Sequence, residues 1–115
     1  MPQLEASISN TLTTDSVPQW NTVAEIPGSE HPGQVVIVGA HLDSWDLGTG
    51  ASDNGTGSIA TLEAARIIMR SGLKPKRTIR FVLFTGEEQG LIGSRKYAEA
   101  HAAEADSIQA VIAQR

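Results

Sequence analysis

Cysteine is absent from the 115 residues of the sequence. Its absence excludes disulfide bonds and thiolate zinc sites, so any metal ion must be held by histidine, aspartate or glutamate. No apolar run approaches the length needed to span a bilayer, and the first residues show no signal-peptide pattern. We therefore expect no membrane partner, and the residues alone leave the cellular location open.

Basic residues are also few, since nine lysines and arginines stand against 13 acidic residues and give a formal net charge of −4. This balance argues against nucleic acid or an anionic membrane surface as a partner. The hydrophobic fraction is 40% and the charged fraction 19%, which is typical of a globular protein. The length suits one domain, residues 1–115, and is too short for two of ordinary size.

Hydrophobic periodicity predicts an α/β protein. Strands are predicted at residues 3–13, 20–26, 35–41, 78–85 and 107–113. Helices are predicted at residues 57–71 and 90–103. Alternating strands and helices favour parallel neighbours with right-handed crossovers, so we expect a three-layer αβα fold with a mixed, largely parallel sheet.

The first predicted helix has one narrow polar stripe, formed by Glu63, Arg66 and Arg70. Most of its remaining surface is apolar, so the helix is expected to pack on the sheet. Gly72 is placed to end it, and Pro75 prevents its continuation.

Residues of metal-ligand type follow two of the predicted parallel strands. His41 and Asp43 come at the end of the strand at 35–41, and Glu87 and Glu88 follow the strand at 78–85. Asp53 lies in the glycine-rich loop before the first helix. Ligands bind beyond the carboxyl ends of parallel strands, so these side chains should converge. Their nitrogen and oxygen donors suit zinc or, less selectively, cobalt or manganese.

Each of these residues has an ordinary structural alternative. His41 could be a hydrogen-bonded histidine at a strand end, Asp53 a turn or cap residue, and Asp43 an acceptor for a nearby backbone amide. Trp45 could belong to the core. The glycine loop lacks the lysine of a P-loop and the glycine spacing of a dinucleotide loop, which disfavours a nucleotide site.

Three segments in order resemble the di-zinc exopeptidases of the aminopeptidase and carboxypeptidase Q type. They are VVIVGAHLDSW, GASDNGTGSIATLEAAR and RTIRFVLFTGEEQGLIGSRKYAEAH. The upstream WNTVAEIPGSE and the HLDSW variant point to the carboxypeptidase Q-like branch. The resemblance covers nearly the whole chain, from about residue 3 to residue 112.

The resemblance implies that His41 binds one zinc ion, that Asp53 bridges two and that Glu88 binds the second. Glu87 would be the catalytic base for a metal-activated water, and Asp43 would orient His41 and fix its tautomer. It also implies a cis peptide bond after Asp53. The expected substrates are small peptides or dipeptides, and the expected location is exported or periplasmic.

Two further ligands of that family are expected, an aspartate at about position 115 and a later histidine. Arg115 stands at that position, His31 lies in a predicted turn and His101 on the second predicted helix. We therefore expect part of a catalytic domain, or a truncated relative, that is inactive alone. The alternative is a non-catalytic module that keeps the fold without a full metal site. An exposed sheet edge would favour pairing with a second copy.

Overall fold

The computed structural model describes residues 5–114. Its elements, in chain order, are β1 (Thr22–Ile26), β2 (His31–His41), α1 (Thr56–Ser71), β3 (Arg77–Phe84), α2 (Ile92–Ala100) and β4 (Ile108–Gln114). A π-type turn at Ala51–Gly55 leads into α1, and a 3-10 helix at Ala102–Ser107 leads into β4. Among the described residues, no helix is long and apolar enough to cross a membrane.

The strands form one mixed sheet in the order β1-β3-β2-β4. β2 pairs in parallel with both β3 and β4, whereas β1 is antiparallel to β3. The connection from β2 to β3 and that from β3 to β4 cross the sheet in opposite directions. Right-handed crossovers therefore place α1 and α2 on opposite faces, which confirms the predicted α/β class.

The N-terminal segment differs from the prediction. Residues 5–21 form no regular secondary structure, and nearly all of them are exposed. The strand predicted at 3–13 is therefore wrong for residues 5–13, and its first two residues lie outside the described part of the chain. Alternating apolar residues favour a strand only where a neighbouring strand supplies hydrogen bonds.

The core on the α2 side of the sheet is built from Val35, Ile37, Val82 and Tyr97. Val82 is completely buried. The Tyr97 ring meets Phe84 edge-on, with 5.7 Å between ring centroids. One face of β2 is buried at Val35 and Ile37 and the other is half-buried at Val36 and Val38, which explains why a continuous β-branched run predicts this strand.

Helix α1 packs on the sheet, as predicted, but its small residues rather than its large apolar ones make the contact. Its buried residues are Gly57, Ser58 and Thr61, and short side chains let a helix approach a sheet closely. Four of its large apolar side chains are between 54% and 73% exposed, namely Ile59, Leu62, Ile67 and Met69. The helix ends as predicted at Gly72, whose φ of 73° is left-handed.

Strand β4 forms one edge of the sheet within the described residues. Val111 and Ile112 are 60% and 61% exposed on this edge strand. An apolar edge strand of this kind is a template for pairing with another chain. Association of two copies through β4 stays a prediction.

Arg80 joins three elements on the α2 side. Its side chain is 12% exposed and forms ion pairs with Glu25 of β1 at 2.5 Å and with Glu104 of the 3-10 helix at 3.0 Å. Its Nη1 also donates to the hydroxyl oxygen of Tyr97 at 2.8 Å. The hydrogen bonds from Arg80 hold the pKa of the Glu104 carboxyl below its ordinary value of 4.5.

We predict that Glu104→Gln lowers the free energy of unfolding at neutral pH by about 0.5–1 kcal/mol, a small figure because solvent screens this partly exposed pair. A lowered folded-state pKa gives stability that is present above the ordinary value and lost as the pH falls through the lowered one. The difference between the two proteins should therefore vanish in acid. Urea unfolding against pH measures it, with Glu99→Gln of the exposed Lys96–Glu99 pair as the control. A difference that persists at low pH would contradict this account.

Candidate metal centre

His41 is the last residue of β2 and is 5% exposed. Its backbone oxygen accepts a hydrogen bond from the Ser58 hydroxyl at 2.9 Å, which fixes it against the start of α1. Its ring Nδ1 lies 3.0 Å from the backbone oxygen of Asp43. Because a carbonyl oxygen only accepts hydrogen bonds, Nδ1 must carry a proton, and in the neutral ring Nε2 is left with a lone pair.

That lone pair faces a carboxylate. Nε2 of His41 lies 2.9 Å from Oδ1 of Asp53. Two lone-pair atoms at this distance repel each other unless a proton or a metal cation lies between them. The pair therefore fits a cation by its own chemistry. The peptide bond between Asp53 and Asn54 is cis, as expected.

Glu87 and Glu88 bring two further carboxylates to the same edge. They follow β3 and, with His41, each offer a ligand atom within 4.8 Å of the others. Nε2 of His41 is 4.0 Å from Oε2 of Glu87. Asp53 is joined to these three residues by its contact with Nε2 of His41. All of the residues predicted from sequence as ligands or base thus gather at the carboxyl end of the sheet.

Asp43 connects the two halves of this site. One of its carboxylate oxygens accepts the backbone N–H of Glu87 and the other accepts that of Glu88, both at 3.1 Å. Its Oδ1 is 3.7 Å from Nδ1 of His41, farther than its backbone oxygen. The sequence left open whether Asp43 orients His41 or binds a backbone amide. In the structure the carboxylate binds the two backbone amides, and the backbone oxygen is the atom that contacts the ring; the role of Asp43 in orienting His41 stays a prediction.

Three residues near the site were missed by sequence reasoning. Ser58 holds the His41 backbone, Ser44 donates to the backbone oxygen of Asp53 at 3.0 Å, and Asn54 is almost completely buried. Serine and asparagine are common in loops and near helix starts, so their types carry no signal. Only their positions, next to or near candidate ligands, could have drawn attention to them.

A cavity of about 180 Å³ adjoins the donors. His41 and Glu87 line it, together with apolar surface from Phe84 and Leu91. Trp45 is 61% exposed and is not part of the core. Position 115, where a further aspartate ligand was expected, lies outside the described residues.

The sheet carries histidine and carboxylate donors beyond the carboxyl ends of its parallel strands, and this donor set suits a metal ion. The sequence profile of peptidase family M28 matches residues 21–114, and this range includes every candidate residue above. The chain therefore belongs to peptidase family M28, which confirms the resemblance inferred from its three motifs.

Individual relatives agree with this membership. Carboxypeptidase Q of Xenopus laevis is 50% identical over 110 residues, which are 96% of this chain and 23% of the relative. A peptidase M28 precursor from Shewanella amazonensis superposes with a TM-score of 0.77 at 46% identity, covering 79% of this chain and 21% of the other. A zinc aminopeptidase from Bacillus subtilis gives 0.72 at 30% identity, covering 79% and 22%. The chain spans about a fifth of the length of such relatives.

We predict that Asp43→Asn lowers the free energy of unfolding by about 1–2 kcal/mol, because an amide NH₂ would then face one of two backbone N–H groups and leave it without an acceptor. Hydrogen exchange at the Glu87 and Glu88 amides should accelerate with it. Asp46→Asn changes the same functional group at an exposed position of the same loop and should alter neither quantity. Equal effects of the two substitutions would contradict the assigned contact.

Proposed function

We propose that this chain supplies the histidine- and carboxylate-bearing part of the active site of a zinc-dependent exopeptidase. The observation that carries the proposal is His41, whose Nδ1 is bound to a carbonyl oxygen and whose Nε2 faces Asp53 at 2.9 Å. The choice of zinc is supported by the nitrogen and oxygen donor set and by the zinc aminopeptidase among the structural relatives.

In this proposal His41 and Asp53 would hold one ion, and Asp53 and Glu88 would hold a second. Bound zinc polarises a peptide carbonyl and lowers the pKa of a water molecule to near neutrality. The chain's own part is to place the proton of the neutral His41 ring on Nδ1, through the hydrogen bond to the Asp43 backbone oxygen, so that the lone pair is on Nε2. A ring fixed in this tautomer presents its lone pair without reorganisation.

Glu87 is proposed as the general base. Its side chain is 17% exposed, and it lines the cavity beside His41, whereas Glu88 is not among the lining residues. A carboxylate that faces the cavity can take a proton from attacking water and pass it to the leaving amine. Glu87 and Glu88 lie in the turn after β3, and Glu87 alone of the two lines the cavity, which favours Glu87 as the base and Glu88 as the ligand.

The proposed substrates are small peptides or dipeptides, cleaved at one end. The apolar part of the cavity, formed by Phe84 and Leu91, suits an uncharged side chain next to the scissile bond. The described donors give each ion two protein ligands, one of them shared, whereas a catalytic zinc normally keeps three. Hydrolysis at an enzymatic rate is therefore expected only where further ligands complete the set, and an exported location remains a prediction from family resemblance.

We predict that replacing each glutamate by glutamine will separate the residue needed for zinc binding from the residue needed for catalysis. Glu87→Gln should leave zinc binding intact and lower turnover by roughly two to four orders of magnitude, as expected for the loss of a general base. Glu88→Gln should weaken zinc binding instead, because a neutral amide is a poor zinc ligand. Calorimetric titration with zinc measures binding in the 115-residue chain. Peptide turnover is measured in a protein that carries the complete ligand set.

Glu30→Gln is a suitable control, since Glu30 pairs with Lys76 on the surface and should affect neither quantity. The reverse pattern, with zinc binding lost in Glu87→Gln and retained in Glu88→Gln, would show that the roles of the two residues are exchanged. A Glu87→Gln protein with full turnover would contradict the assignment of the base.

A further inference from the structure

Asn54 is 1% exposed, although it lies in the loop that carries Asp53. Its side-chain Nδ2 donates to the backbone oxygen of Gln114 at 2.9 Å, and its Oδ1 accepts the backbone N–H of Gly57 at 3.1 Å. One amide side chain thus joins the Asp53 loop, the first turn of α1 and the end of β4. Both of its polar atoms have protein partners, as a buried amide requires.

The partner on β4 is placed directly beside the metal centre. Gln114 pairs in register with Ala40, the residue before His41. The bond from Asn54 therefore ties the Asp53 loop to the strand that flanks His41. On the other side of the loop, the Ser44 hydroxyl holds the Asp53 backbone oxygen. These two contacts tie the backbone around Asp53 to the loop after β2 and to β4, and they matter because the Asp53 side chain itself is 70% exposed and has little packing to fix it.

The space that Asn54 occupies exists only because residue 57 is glycine. A Cβ built at Gly57 would lie 2.3 Å from Oδ1 of Asn54 and 2.9 Å from its Cγ and Nδ2. The side chain could not remain in place against such a contact. Alanine at position 57 would therefore displace the Asn54 side chain without altering Asn54 itself.

We propose that Asn54 is a positioning residue that sets the separation between His41 and Asp53, and through it the affinity of the metal centre. The positioning stands on the contacts described, and its consequence for metal binding rests on the proposed function. Asn54 touches neither metal nor substrate in this account, and it acts through the Asp53 loop.

A buried amide could instead contribute only to stability, and Thr78 provides the matched control. Thr78 is 5% exposed. Its hydroxyl donates a hydrogen bond to the backbone oxygen of Pro32 at 2.8 Å and accepts one from the backbone N–H of Gly28 at 3.0 Å. It is thus also a buried polar side chain that joins two backbone groups. It lies near the start of β3, at the opposite end of the sheet from His41.

The first arm of the test uses the metal-free chain. Long-range ¹H–¹⁵N spectra of the His41 ring report the surroundings of Nε2 separately from those of Nδ1. Asn54→Ala should move the Nε2 resonance in the same direction as Asp53→Ala does, because the carboxylate leaves the ring in both. Gly57→Ala should produce the same shift even though alanine favours a helix more than glycine. Thr78→Ala should leave the resonance in place.

The second arm titrates Co²⁺ into the same proteins and follows its visible absorption. Asn54→Ala and Gly57→Ala should bind Co²⁺ roughly ten- to a hundredfold more weakly than the unmodified chain, the range typical of lost outer contacts to metal ligands. Thr78→Ala should bind as the unmodified chain does, even if its melting temperature falls as far as that of Asn54→Ala.

Each outcome gives a decision. An unchanged Nε2 resonance in Asn54→Ala, or an equal shift in Thr78→Ala, overturns the proposal. So does loss of the fold in both Asn54→Ala and Gly57→Ala, because Asn54 would then serve stability. If the unmodified chain binds no Co²⁺, the metal centre of the proposed function is refuted, while the ring spectra still decide whether Asn54 positions Asp53.

Discussion

The candidate site depends on Asp43 more than on any other residue. Its carboxylate accepts the backbone amides of Glu87 and Glu88, and its backbone oxygen holds the His41 ring. Hydrogen bonds to an ionised acceptor are stronger than neutral ones, and partial burial of the group strengthens them further. The ring on β2 and the two glutamates after β3 therefore share one anchor, although Glu87 lies 46 positions after His41 in the sequence.

The rest of the fold supplies rigidity where the donors need it. His41 ends a central strand that is paired on both sides, so its backbone cannot shift without disturbing the sheet. Asp53 comes from a loop and needs added tethers, which Ser44 and Asn54 provide. A donor set assembled from a strand end, a loop and a turn is held together by backbone contacts, since its like-charged carboxylates do not attract one another.

Much of this arrangement could be predicted from sequence. A continuous β-branched run predicted β2, and Gly72 predicted the end of α1, because these signals are local to the chain. The topology rule that ligands gather beyond parallel strand ends predicts that His41, Asp53 and Glu87 lie together. The resemblance to zinc exopeptidases added the separate roles of Glu87 and Glu88, which the residues alone do not distinguish.

The remainder depends on partners that sequence patterns do not reveal. An alternating pattern at 5–13 is compatible with a strand, but no strand in the described structure pairs with it. The apolar periodicity of α1 predicted packing on the sheet, yet Ser58 and Thr61 form the contact because their size sets the distance of approach. The second helix ends at Ala100 rather than 103, where the backbone of His101 leaves the helical region. Asn54 has the sequence context of an ordinary turn residue, and only the structure shows its hydrogen bond to the backbone oxygen of Gln114.

The most direct test of the account is a crystal structure of the chain soaked in zinc, with anomalous diffraction measured at the zinc edge. The account predicts an anomalous peak between His41 and Asp53, about 2.0–2.2 Å from Nε2 of the ring and from a carboxylate oxygen. It would be contradicted by a zinc-free pair that keeps its direct contact, or by a peak found only on residues away from the carboxyl end of the sheet.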